Sequence, residues 1–155
     1  PESEREFIKN MKLMIPNDDG REFYAVNLER LKQGELAERA DDAYARAVFP
    51  NLFRRGGHPV FVSRRVGLML GDYGNEVDRV VVVRYRSLRD LIDMANAPAV
   101  VAGSRQKFAS LDHTEVFITR PYVTFMQVRI IVAMGLIIVG VLIWYAIGVV
   151  AKARS

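Results

Sequence analysis

The chain contains no cysteine, which excludes disulfides and thiolate chemistry while leaving the cellular compartment open. Histidine is almost as scarce. Its two examples, His58 and His113, lie far apart, and neither has an acidic neighbour at helical spacing. A mononuclear metal site needs about three or four convergent ligands, so neither a metal nor a cofactor is expected, and both histidines read as surface or edge residues. A glycine-rich phosphate loop, a G-x-S-x-G elbow and a paired-carboxylate signature are all missing. There is no internal repeat, no low-complexity tract and no long linker.

An excess of charge is also missing from most of the chain. Three of the 22 basic residues, Arg129, Lys152 and Arg154, flank one apolar run near the C-terminus, and the other 19 face all 18 acids within residues 1–120. A nucleic-acid surface needs a clearly basic domain, so no nucleic-acid partner is expected.

What the chain does have is a long apolar run, 22 residues without a charge from Ile130 to Ala151. As a helix rising about 1.5 Å per residue it is roughly 33 Å long, enough for a hydrocarbon core of about 30 Å. No polar stripe interrupts it, as one would in the core helix of a soluble protein. The expected span is 130–151, followed by a short basic tail, 152–155. Trp144 and Tyr145 suit a position toward the far interface. The span holds no histidine to ligate a haem and no charge to relay a proton. Gly135, Gly140 and Gly148 lack the four-residue spacing of the close-contact dimer motif. The opening PESEREFIKN is acidic, unlike a secretory signal, so the expected topology is a tail anchor in a bacterial inner membrane with the head cytoplasmic. Flanking charges do not set the orientation, because Arg120 and Arg129 balance Lys152 and Arg154.

Upstream, the pattern alternates between helix and strand. Residues 1–19 read as an amphipathic leader helix: Ser3 to Glu6 is a capping box, and Phe7, Ile8, Met11, Met14 and Ile15 recur at helical spacing before Pro16. Residues 20–120 form the head. EFYAVNLERL alternates as a strand. Asp41-Asp42 suit the cap of a helix with Pro50 inside it and Gly56-Gly57 after it. PVFVSRRVGLML reads as strand two, with Gly67 a bulge or bend. DRVVVVRYR reads as strand three, whose Val80–Val83 run suits burial on both faces. Ser87 to Asp90 is a second capping box, opening one helix. Another follows Pro98, and HTEVFIT closes the set as strand four. Residues 121–129 are the juxtamembrane linker. The order β-α-β-β-α-β predicts an α+β, ferredoxin-like sandwich, with helices on one sheet face and the other face in need of a cover.

Together, EFYAVNLERLK, a helix ending FRRGG, VDRVVVVRYRSLRDLIDMAN and a last strand before RP resemble the dimeric α/β-barrel superfamily over roughly residues 20–120. The likeness is to a branch catalogued as a domain of unknown function. The resemblance implies two ferredoxin-like subunits closing their sheets into a barrel, hence a homodimer through the sheet face. Relatives include cofactor-free monooxygenases, isomerases and haem-handling enzymes, so an activity does not follow from the fold. Asn27, Asp78, Arg84 and Tyr85 fall on the motif positions and are the catalytic candidates if a site exists. An Arg–Asp pair suits a small acid, and a tyrosine suits proton transfer.

Two functions are therefore expected in order. The first is non-catalytic: a single-pass accessory or scaffold subunit, held in the lipid bilayer and docked on subunits of a larger integral membrane complex, with a respiratory or photosynthetic assembly as the host. The second is a membrane-tethered dimeric-barrel enzyme, monooxygenase- or isomerase-like, acting on a small lipophilic substrate.

Overall fold

The structure is a computed structural model that describes the backbone of residues 2–122 and 128–153 and the side chains of 5–122 and 131–148. The chain divides into two units, Pro1–Arg120 and Pro121–Ser155. The head runs α1 (Glu2–Met14), a 3₁₀ turn (Ile15–Asn17), β1 (Phe23–Leu31), α2 (Glu35–Arg54) and β2 (His58–Arg64). It continues with a second 3₁₀ turn (Tyr73–Glu76), β3 (Arg79–Tyr85), α3 (Leu88–Ala95), α4 (Pro98–Ser110) and β4 (Leu111–Thr119). The four strands make one antiparallel sheet in the order β2-β3-β1-β4, so the α+β ferredoxin-like arrangement is present, its second helix in two pieces.

Alternation along β1 sorts the side chains between two faces. Phe23 and Ala25 point to one face, together with their β3 partners Tyr85 and Val83. There they meet Val48 and Leu52 of α2, Leu88 and Met94 of α3, and Val100 of α4. The Phe23 and Tyr85 rings stack with centroids 5.4 Å apart. Full burial of a side chain such as Leu52 contributes about 1.5–3 kcal/mol, so this layer orients the sheet. The leader helix adds Met11 and Met14 to the same core and leaves Phe7 and Ile8 largely exposed. Ser87 caps α3 by accepting from the Asp90 backbone N–H at 3.1 Å.

Three boundaries differ from the expectation. Helix α2 begins at Glu35, not at Asp41. Gly34, at φ +103°, turns the chain out of β1, and Glu35 and Glu38 supply the acids of the first turn. Asp41 is thereby free to serve elsewhere. Strand β2 stops at Arg64, opposite Arg79, the first residue of β3, and one further backbone bond, from the Arg65 N–H to the Asp78 carbonyl at 2.8 Å, follows it. The irregularity in this pairing sits between Pro59 and Phe61, where proline lacks an N–H, and not at Gly67. Strand β4 starts at the buried Leu111, after a register shift between Arg30 and Leu31.

The second unit contains α5 (Val128–Ala153), which encloses the expected span. Its Ile131–Gly148 stretch is long and apolar enough to cross a membrane, and none of it is buried. Trp144 and Tyr145 are 78% and 73% exposed. Arg129 and Lys152 fall within this helix, whereas Arg154 and residues 123–127 of the expected linker lie outside the described residues.

Candidate functional site

Beyond Ala25 the helix-covered face turns polar. Asn27 and Glu29 of β1 lie opposite Val81 and Arg79 of β3. Arg79 Nε donates to Glu29 Oε2 at 2.6 Å, while its two terminal nitrogens donate to Asp41 of α2 at 2.6 and 2.8 Å. Glu29 is only 6% exposed, so its charge depends on that guanidinium. The hydrogen bonds to Asp41, followed by the pull of Glu29, hold Arg79 protonated beyond its ordinary range.

Tyr44 stands one turn after Asp41. Burial, then the charges of Glu29 and Asp41, push its hydroxyl up to about 12. The Lys107 ammonium of α4 lies 5.9 Å from the Tyr44 ring centroid, within cation–π range. Burial lowers the Lys107 pKa, and the Glu29 charge opposes that shift. Tyr85 is raised by burial and next by Tyr44. Glu29, Arg79, Asp41, Tyr44 and Lys107 thus form one polar cluster inside the sandwich, with its acids already engaged by Arg79.

The four sequence candidates do not assemble around it. Asn27 shares its face but donates to the Val81 carbonyl at 3.0 Å. Tyr85 is buried at the other end of the strand pair, stacked on Phe23. Arg84 points to the opposite face, where it donates to Glu22 at 2.8 Å and to the Gly56 carbonyl at 3.0 Å. Asp78 precedes β3, accepts from the Leu31 N–H at 2.9 Å, and lines a surface cleft of about 600 Å³ with Arg30, Lys32, Asn75 and Asp112. The histidines sit on the two edge strands, His58 opposite Arg84 and His113 opposite Arg30. Among the described residues no group of three or more His, Asp or Glu side chains is placed to hold a metal.

Sequence reasoning missed Asp41, Tyr44, Arg79 and Lys107. The one available signal was parity: Glu29 and Arg79 each stand an even number of residues from a core aromatic, Phe23 and Tyr85.

The uncovered face is apolar at its centre. Its rows, read across β2-β3-β1-β4, are His58-Arg84-Tyr24-Thr119, Phe61-Val82-Val26-Phe117 and Ser63-Val80-Leu28-Glu115. Phe61 and Phe117 are 42% and 44% exposed on the two edges. The β2–β3 connection laps over one end, where Tyr73 donates its hydroxyl to Glu115 at 2.5 Å. Within that connection Val66, Met69 and Leu70 are exposed almost completely.

Comparison with solved structures agrees with this architecture. A protein of unknown function from Rhodopseudomonas palustris superposes with a TM-score of 0.68 at 21% identity, over 75% of this chain and 94% of that one. A hydroxynitrile lyase from Passiflora edulis gives a TM-score of 0.51 at 13% identity, over 68% and 98% of the two chains. A candidate antibiotic biosynthesis monooxygenase from Nitrosomonas europaea gives 0.50 at 8% identity, over 67% and 93%. No protein-family model matches the sequence, and no curated protein does. The head therefore has a ferredoxin-like fold, and the chain also carries a C-terminal apolar helix. That likeness is one of fold.

Proposed function

We propose that the chain is a single-pass membrane accessory subunit. Helix α5 lies in the bilayer, and the head docks through its uncovered sheet face onto neighbouring subunits of a larger membrane complex. The observation that carries this reading is a division of labour between surfaces. The interior polar cluster is internally engaged, whereas apolar side chains stay exposed on two surfaces: Phe61 and Phe117 at the two ends of a sheet-face row whose centre, Val82, is buried, and the Ile131–Gly148 stretch of α5, none of which is buried. Apolar surface left in water is costly at about 25 cal/mol per Å², which favours a cover for both. A second copy on the sheet face is the competing cover, as the resemblance of residues 20–120 to the dimeric α/β-barrel superfamily implies.

The test is gentle solubilisation of native membranes in digitonin, followed by pull-down of a tagged chain and a native gel. Migration with a large assembly at fixed stoichiometry, reduced by Phe61→Glu or Phe117→Glu, supports the reading. Migration alone, as a monomer or a small dimer, defeats it.

A second reading keeps an enzyme, a membrane-tethered dimeric barrel acting on a small lipophilic substrate. Its support is the cluster of Glu29, Arg79, Asp41, Tyr44 and Lys107, where a proton donor with a raised pKa stands beside a cation. Turnover of lipophilic aromatic substrates that Tyr44→Phe abolishes without loss of fold would favour it over the adhesive role.

A further inference from the structure

Resting on the membrane reading above, we infer that the C-terminal end of α2, with Phe49, Phe53, Arg54, Arg55 and Arg86, is a docking surface for the anionic headgroups of the bilayer that holds α5. The head is seated there on lipid, on a surface separate from the uncovered sheet face.

Four guanidinium groups gather about the Gly56-Gly57 turn that ends α2. Arg84 donates to the Gly56 carbonyl at 3.0 Å, and the Arg86 Cδ lies 3.8 Å from where a Cβ on Gly56 would stand. Arg55 donates to the Asn51 carbonyl at 3.0 Å, and its charge acts on Asp90. Arg54 is exposed and makes no hydrogen bond or ion pair among the described residues. Among those residues two acids pair with the group, Glu22 with Arg84 and Asp90 with Arg86. The turn therefore keeps an excess of positive charge. A cation at a helix C-terminus is ordinary, because the negative end of the macrodipole attracts it. Arg55 fills that role through Asn51, which leaves Arg54 without one. Beside it Phe49 and Phe53, one turn apart on α2, have ring centroids 6.5 Å from each other and are 37% and 57% exposed.

The place of this surface in the sheet names its occupant. The turn leads directly into His58, which begins the row His58-Arg84-Tyr24-Thr119 across all four strands. Strands lie about 4.8 Å apart, so the two ends of that row are about 14 Å from each other. The C-terminal end of α2 thus stands at the sheet end where β4 finishes and the chain passes toward α5. From Arg120 to Val128, the first residue of α5, the chain reaches at most about 29 Å. With α5 in the bilayer, this end of the head stays beside the lipid surface. The other pair of adjacent arginines, Arg64-Arg65, follows β2 at the far end of the sheet, farther off by a strand length of about 27 Å.

The chemistry agrees with the position. An acidic protein surface would meet the guanidinium groups and leave the phenylalanine pair in water. The boundary between headgroups and acyl chains takes both, with phosphate against arginine and the rings against the first methylenes.

The test moves the one tryptophan of the chain. Phe53→Trp in a Trp144→Phe background makes the fluorescence of the full-length protein report position 53 alone. The protein is reconstituted into phosphatidylcholine vesicles, with or without abundant phosphatidylglycerol, doped with a lipid that carries a nitroxide quencher on its headgroup. Quenching should be strong in the anionic vesicles, weak in the neutral ones and relieved by added salt. Arg54→Glu should lower the ratio of docked to undocked heads at least about fivefold, the worth of one arginine near an anionic surface. Arg64→Glu, the same change of charge at the far end, should leave that ratio unaltered. Weak quenching in both kinds of vesicle, equal losses from the two variants, or strong quenching that ignores lipid charge each overturns the inference. Protection of position 53 from aqueous acrylamide in the digitonin-solubilised assembly, without quenching in vesicles, would make the occupant an acidic subunit and overturn the lipid assignment. Alkaline carbonate extraction separates these failures from that of the parent reading. A chain stripped from the vesicles defeats the membrane reading itself, whereas one that stays with them while position 53 is unquenched defeats the docking alone.

Discussion

Glu29 and Arg79 are register partners on adjacent strands, and the guanidinium Nε donates to the buried carboxylate at 2.6 Å while its other nitrogens grip Asp41. One side chain thereby joins β1, β3 and α2. Removing one partner of such a pair is worse than removing both, because the survivor stays buried and uncompensated. Arg79→Met should destabilise the head by about 3–5 kcal/mol, and Glu29→Leu added to it should recover much of the loss. Denaturant unfolding of the detergent-solubilised chain, followed by far-ultraviolet circular dichroism, checks both variants.

The tyrosines beside that network predict alkaline behaviour. The Tyr44 hydroxyl is held up at about 12 in the fold, against 10.0 for an ordinary tyrosine. Between those values the unfolded chain releases a proton that the folded chain keeps, so stability falls as pH rises. The contribution is complete below pH 10 and is lost through about pH 12. Absorbance titration of the phenolates should show Tyr44 and Tyr85 ionising late in wild type, and Tyr44→Phe should remove one of these late steps.

Two glycines mark close approaches. A Cβ at Gly57 would fall 2.5 Å from Leu52 Cδ1 and 2.9 Å from the Arg84 carbonyl oxygen, and one at Gly103 would fall 2.9 Å from the Ala47 Cβ. The first separates α2 from β3 and the second prises α4 from α2. Gly57→Ala and Gly103→Ala should each cost about 1–3 kcal/mol, read as a lower unfolding midpoint, whereas Gly67→Ala, where a Cβ meets open space, should be silent.

The α3 cap gives an acid-side prediction. The Arg86 hydrogen bond first, and the Ser87 hydroxyl among the lesser causes, hold Asp90 below its ordinary value of 3.8. Its contribution is therefore present above that value and lost as pH falls through the lowered one. Ser87→Ala should cost about 1 kcal/mol near neutral pH, with less difference from wild type in strong acid. Urea midpoints at the two pH values measure this.

Much of the architecture was legible because it depends on local chemistry. Alternation in FYAVNLERL, the Ser87–Asp90 cap and the Pro98 helix start act within a few residues, and each element formed where those signals stood. The misread boundaries have a common cause. Asp41-Asp42 suit a helix cap, yet Gly34 opened the helix earlier and Asp41 went to an arginine 38 residues away. VGLML has strand composition, but β3 had no residue left to pair with it. The candidate site was less legible still. Asn27 stands in the first-strand motif and Asp78, Arg84 and Tyr85 in the third-strand one, and the pleat distributes them over two faces and a sheet end.

By itself the sequence determined the strand and helix order, the balanced charge of the head and the charge-free run of α5, because periodicity and composition act locally. Only the tertiary structure decided which face of the sheet is covered, and that Glu29, Arg79, Asp41, Tyr44 and Lys107 meet beneath it. Such a meeting depends on strand register and on the seating of α2 and α4. Those are settled by burying Phe23, Leu52, Val83 and Val100 together, a cooperative choice that no single stretch of chain contains.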